Sequence, residues 1–343
     1  MKETLKMKTT IQTFGNFEGQ KVSAYSLENK NGTRITVLDY AGIWHEYSVI
    51  DEGTRVNMLL SAPEMSGYTD NPFYINRLIG RVAGRIKDAT FKLGDQLIQT
   101  PQNEGDNSLH GGGNGWSNTM FAVKFDQNSI VLTATITSAQ DGFPGNLESE
   151  IRYTLSDDDT VTLTMGGTQR EADGVFNPTS HAYFNLSQSD DVSNHELHLN
   201  SKVHLAVDTG KVPTGETIDN HNSPFDLRMA PDLGAALATL DKTTAEHGFD
   251  DVFVVQGPKI ASLKDKVSSR TIDVISHRNG LVVFTANSMT SDMINNHGNG
   301  HKWVAVALEP HTLPNSENIP AFGDVRLKKD ETRVAEIVYR YHK

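Results

Sequence analysis

The sequence predicts an all-β fold, a large antiparallel β-sandwich with few short helices. Three observations carry this. Short segments that alternate apolar with polar residues recur along the chain, as strands half-exposed on a sheet do. Turn sequences such as "DQNS", "SDDDT", "HRNG" and "KKDE" separate them. Helix signals are few, and the best is "MAPDLGAALATLDK" at 229–242, with Pro231 near its start and Leu233, Ala236, Leu237 and Leu240 at helical spacing.

In chain order the strand candidates are "RITVLDYA", "FAVKFDQ", "SIVLTATIT", "LESEIRYTL", "TVTLTMGG", "ELHLNSKVHLAV", "DVFVV", "LVVFTAN", "VAVALE" and "RVAEIVYRY". No Gly/Ser or Pro-rich linker divides them and no repeat of fixed period is present, so residues 1–343 read as a single domain. A β domain of that length needs broad sheets. Broad twisted sheets have a concave face, and a ligand cleft is expected there.

Composition narrows the partners. Lys and Arg number 31 against 43 Asp and Glu, a formal charge of −12. That argues against nucleic acid and anionic membranes as partners, and weighs against a densely phosphorylated substrate. The absence of cysteine excludes disulfides, thiolate metal sites and cysteine nucleophiles. The N-terminal "MKETLKMKTTIQTFG" lacks the apolar core of a signal peptide, and stretches such as "LVVF" and "VAVAL" fall far short of a membrane span. A soluble cytoplasmic protein is the expectation, with monomer and homodimer both open.

Five segments hold residues that could carry chemistry. In "FNPTSHAYFNL" (176–186), strand alternation puts His181, Tyr183 and Asn185 on one side and Ala182, Phe184 and Leu186 on the other. The second side belongs on a core; the first is costly to bury and unnecessary on a plain solvated face. In "WVAVALEPH" (303–311), Val304, Val306 and Leu308 share one face, and Ala305, Ala307 and Glu309 the other, with Pro310 ending the ladder. Two alanines before a carboxylate leave room for something above the strand, though a solvated terminal glutamate is an equally good reading. "LHGGGNGW" (109–116) sets His110 before three glycines, without the Lys-Ser/Thr of a phosphate loop. An ordinary loop histidine fits as well.

"GRVAGRI" (80–86) carries Arg81 and Arg85, either of which could recognise hydroxyls or pair with a structural acid. "HGFDDVFVV" (247–255) places Asp250 and Asp251 at a strand start, where one could be a turn cap. "HELH" (195–198) and "HGNGH" (297–301) lack zinc-hydrolase spacing, so no metal is expected.

Taken in order, "GYTDNPFYINRLIGRVAGRI", "LHGGGNGW", "DGFPGNLESEIRYTL", "FNPTSHAYFNL", "GFDDVF", "VVFTAN" and "ALEPHTLPNSENIP" resemble the aldose 1-epimerases, the galactose mutarotases, nearly end to end. The resemblance implies a β-supersandwich and interconversion of the α and β anomers of a free aldose such as galactose or glucose, without a cofactor. By motif it implies Glu309 as general base, His181 as general acid and His110 as a second active-site histidine. Arg85 and Asp250 would hold sugar hydroxyls, and Tyr183 would line the same cleft. An ionised carboxylate and an imidazolium would favour each other's charged forms.

The chain departs from the family pattern in four places. Asn287-Ser288 stands where "G-N-F" is frequent, so a sugar-packing aromatic is expected to be missing, with Met289 partly filling the gap. Val282 replaces a frequent glutamine, Pro310-His311 follows Glu309 in place of "T-Q", and Asp251 takes the place of a histidine. Three other functions compete: a non-catalytic sugar-binding or sensing protein, a hexose-phosphate mutarotase, and a glycoside hydrolase using Asp250 with Glu309.

Overall fold

The computed structural model describes residues 7–187, 189–229 and 232–343. An eight-stranded antiparallel sheet forms one layer, in the order Ala122–Asp126, Ser129–Ile136, Asn146–Leu155, Thr160–Arg170, Thr332–His342, Thr271–Ile275, Lys259–Asp265 and His195–Leu199. Alternation drives it. In Asn146–Leu155 the residues Leu147, Ile151, Tyr153 and Leu155 are buried, while Glu148 and Glu150 are exposed.

Two further sheets face that layer. Lys8–Phe17, Gln20–Glu28, Arg34–Leu38, Trp44–Asp51 and Thr54–Asn57 make a five-stranded meander. The other has six strands, in the order Tyr183–Phe184, Val306–His311, Gly280–Phe284, Asp250–Val255, Ser201–Val207 and Pro213–Asp219. One core joins all three sheets, with Ile35 and Trp44, Ile151 and Leu163, and Leu281 and Val306 among its members. Each such side chain removed from water contributes about 1.5–3 kcal/mol.

The six-stranded sheet decides where function can sit. Leu281, Val283, Val306 and Leu308 face the core, which leaves Val282, Phe284 and Glu309 on the opposite, open side. Two details differ from the expected 303–311 strand. It begins at Val306, and Val304 packs in a second cluster with Ala305 and Ala307. Pro310 does not end it, because pairing continues through Leu281↔Pro310 and Gly280↔His311. The proline needs no donor partner there, while its carbonyl accepts from Thr179 Oγ1 at 2.9 Å.

The expected helix forms as Leu233–Thr243, capped by Asp232, whose side chain accepts from Ala235 N–H. Leu233, Ala236, Leu237 and Leu240 are its buried face, and Pro231 lies outside the described residues. No described helix is long and apolar enough to cross a membrane.

Candidate active site

The open side of the six-stranded sheet holds a cleft of about 250 Å³, and Arg85, His110, His181, Tyr183, Asp250 and Glu309 all line it. A larger hollow of about 900 Å³ beside Arg326 and Lys329 gathers no histidine.

Local structure explains the placement. The short strand pair Arg85–Ile86 and Ser108–Leu109 puts Arg85 opposite Leu109, next to His110. His110 N–H donates to Gly84 C=O at 3.0 Å, and Gly84 N–H donates back to His110 Nδ1 at 3.3 Å. The glycine after His110 is required by close approach, since a Cβ on Gly111 would stand 2.4 Å from the Gly80 carbonyl oxygen.

Opposite, His181 sits between Thr179–Ser180 and Tyr183–Phe184, on a segment held by Asn76. Asn76 N–H donates to His181 C=O at 3.1 Å, and its side-chain oxygen accepts from Tyr183 N–H at 2.8 Å. Asn177 fixes the end of the Glu309 strand, donating to Thr312 C=O and accepting from Thr312 N–H, both at 2.9 Å.

At the centre, His181 Nε2 lies 3.3 Å from Glu309 Oε1, with side chains only 7% and 2% exposed. Burial pushes Glu309 well above the ordinary carboxylate range, helped by the nearby Asp250 charge and opposed by Arg85. Burial pushes His181 down to about 3. The expected ion pair is therefore corrected: in the free protein desolvation outweighs mutual attraction, and the neutral pair, sharing one proton, is favoured.

His110, His181 and Glu309 bring ligand atoms within 4.8 Å of one another, a grouping two imidazoles and a carboxylate could offer to a cation. The Gly84 N–H argues against that use. By occupying Nδ1 it leaves the proton of neutral His110 on Nε2, which makes that nitrogen a donor and not a ligand. Burial and the neighbouring His181 keep His110 well below the usual imidazole range.

The flanking predicted residues divide in role. Arg85 forms a fork with Glu104, Nε to Oε2 at 2.5 Å and Nη2 to Oε1 at 2.6 Å. Asp250 lies 3.6 Å from Lys211 Nζ. Asp251 turns back to accept from Asp250 N–H at 3.0 Å, and burial pushes its carboxyl up to about 6. Tyr183 lines the cleft by its ring, stacked at 5.0 Å on His181, because its hydroxyl donates to Phe73 C=O at 2.8 Å. Asn185, expected beside them, instead donates to Val304 C=O and is fully buried. Arg81 is the structural member of its motif, paired with Asp141 at 2.7 Å and wholly buried.

Two expectations about space are corrected. Nothing is left open above Ala305 and Ala307, whose cluster contains Tyr183, Ala286 and Met289. Met289 is therefore buried packing and not a cleft residue, and Ser288 is exposed elsewhere. An aromatic does line the cleft: Phe284, stacked on Phe73 at 6.2 Å, one strand from Glu309. Its signal was the alternation of "LVVF", which puts Val282 and Phe284 on the face away from Leu281 and Val283. Tyr74, Glu104 and Lys211 also line the cleft. They lie outside the main strands and carry no periodic signal.

The sheets and this cleft define a galactose mutarotase-like β-supersandwich. The solved structures agree: a GalM/aldose epimerase homologue from C. elegans superposes with a TM-score of 0.85 at 23% identity, covering 92% of this chain and 98% of that one. A galactose 1-epimerase from Lactobacillus acidophilus gives 0.83 at 23%, covering 98% and 99%. Sequence carries the assignment further. The family model described as aldose 1-epimerase matches residues 23–340. The chain is 35% identical to a maltose epimerase of Levilactobacillus brevis and 34% to an aldose 1-epimerase of Streptococcus thermophilus, in each case over 98% of this chain and 99% of the relative. The chain belongs to the aldose 1-epimerase family, isomerases acting on carbohydrates.

Proposed function

We propose that the protein is a mutarotase that interconverts the α and β anomers of free glucose or galactose by general acid–base catalysis. The observation that supports this most directly is the 3.3 Å approach of His181 Nε2 to Glu309 Oε1 inside the cleft. Opening a hemiacetal removes a proton from O1 and delivers one to the ring oxygen; after C1–C2 rotation, closure reverses both transfers. O1 and O5 share one carbon, so donor and acceptor must face a single ring together. Glu309 takes the O1 proton and His181 supplies O5, with the pair's single proton on His181 in the reacting complex. His110 donates through Nε2 to a sugar oxygen, Arg85 and Asp250 hold hydroxyls, the ring of Phe284 gives the sugar an apolar wall, and the buried Tyr183 ring backs His181 from behind.

A reducing disaccharide is the second reading, favoured by the full-length similarity to a protein named maltose epimerase. Polarimetry on freshly dissolved α-glucose, α-galactose and maltose tests both. Accelerated approach to anomeric equilibrium is expected; no acceleration with any of the three would overturn the reading.

A further inference from the structure

We infer that Glu104 and Glu246 form a charge filter that restricts the cleft to uncharged aldoses, by occupying the two cations that line it. This deepens the sugar-binding reading of the cleft and rests on it. Among the described residues the cations are Arg85 and Lys211. Arg85 offers its Nε–Nη2 edge to both oxygens of Glu104. That edge is the one a phosphate or a sugar carboxylate would take. Lys211 Nζ lies 2.6 Å from Glu246 Oε1 and 3.6 Å from Asp250 Oδ2. Two cations thus face three carboxylates before any ligand arrives, and Glu104 and Asp250 themselves line the cleft.

The consequences differ for the two kinds of sugar. An anionic sugar would have to displace a carboxylate and then lie beside it, like charge against like charge. A neutral sugar needs no displacement. Arg85 keeps Nη1 for donation, and a carboxylate already accepting one hydrogen bond has lone pairs left for a hydroxyl proton. The pairs are partly exposed, with side chains 22% and 35% accessible at Arg85 and Glu104 and 29% and 38% at Lys211 and Glu246. They are open enough to meet a ligand and, as stabilising contacts alone, worth little. Selectivity is the role this leaves them.

Glu104→Gln, Glu246→Gln and the double variant test the filter. Catalytic efficiency is compared for glucose against glucose 6-phosphate and glucuronate, alongside calorimetric affinities for glucose and glucuronate. The wild type should select the neutral sugar. Each variant should raise the anionic-to-neutral ratio about tenfold, the double variant more, and the gain should shrink with added salt. Glu104→Asp should keep the wild-type ratio. A wild type indifferent to charge, or variants that leave both ratios unchanged, would overturn the filter. If no aldose is turned over, the calorimetric ratio still decides it, and the lost turnover counts against the acid–base reading instead.

Discussion

His181 Nε2 and Glu309 Oε1 stand 3.3 Å apart, on segments far apart in the chain, and each is withdrawn from water. The two segments meet because Tyr183 pairs with Ala307 and Phe184 with Val306 in one sheet. That ladder sets the separation of the two side chains by backbone geometry. If the pair works as a unit, Glu309→Gln and His181→Asn should each lower kcat by about 10²–10⁴-fold. The double variant should fall little below the worse single one, since half a proton relay is no relay. Polarimetry on all three proteins checks this; strictly multiplicative losses would mean independent roles.

The pH profile follows from the same burial. Between the depressed value of His181, about 3, and the raised value of Glu309, the free pair holds one proton. A second proton binds only near the lower limit, and the shared one leaves only above the upper. kcat/KM should therefore stay level through 6.5, where an ordinary imidazole titrates. Rates from pH 4.5 to 9, corrected for spontaneous anomerisation, decide it. An acid limb centred near 6.5 would show that His181 is solvated.

Arg81 and Arg85, four residues apart, should fail in opposite ways. Arg81→Met leaves Asp141 buried without its cation, an expected loss of about 3–5 kcal/mol in urea unfolding. Arg85→Met removes a cleft donor; KM should rise about 10–100-fold, with little change in unfolding, from the worth of a charged hydrogen bond. Measuring both quantities on both variants exposes any exchange of roles.

Much of this was legible in alternation, because strand faces are set by a period of two. His181, Tyr183 and Glu309 were found on the polar sides of their segments for that reason. The same rule reached too far at Asn185, which turns to cap the Val304 carbonyl. It misread Ala305 and Ala307 as leaving a vacancy, because small residues also mark where a neighbouring ring packs. Charge state was misjudged for a different reason: sequence shows which groups meet, while desolvation depends on how completely the sheets enclose them. Lys211 and Glu104 were invisible, since loop residues reach a cleft through tertiary closure and not through any local pattern.

Glu317 makes the last case, away from the cleft. Its carboxyl is buried, and among the described residues neither oxygen has a hydrogen-bond partner. Burial pushes it from the ordinary 4.5 up to about 7. Between those values the folded chain keeps a proton that the unfolded chain has released. Stability contributed by this group therefore falls as pH rises, and at 1.36 kcal/mol per pH unit the full loss is about 3 kcal/mol. Glu317→Gln stays neutral throughout and should unfold at higher urea than the wild type at pH 8, with the gap closing near pH 4.5. Buried His311 and His195, both pushed down to about 4, tilt the absolute curves the other way, since their unfolded forms bind protons first in acid. They are common to both proteins, so the difference between the two curves isolates position 317. A gap that is constant with pH would assign the effect to packing at that site and not to its charge.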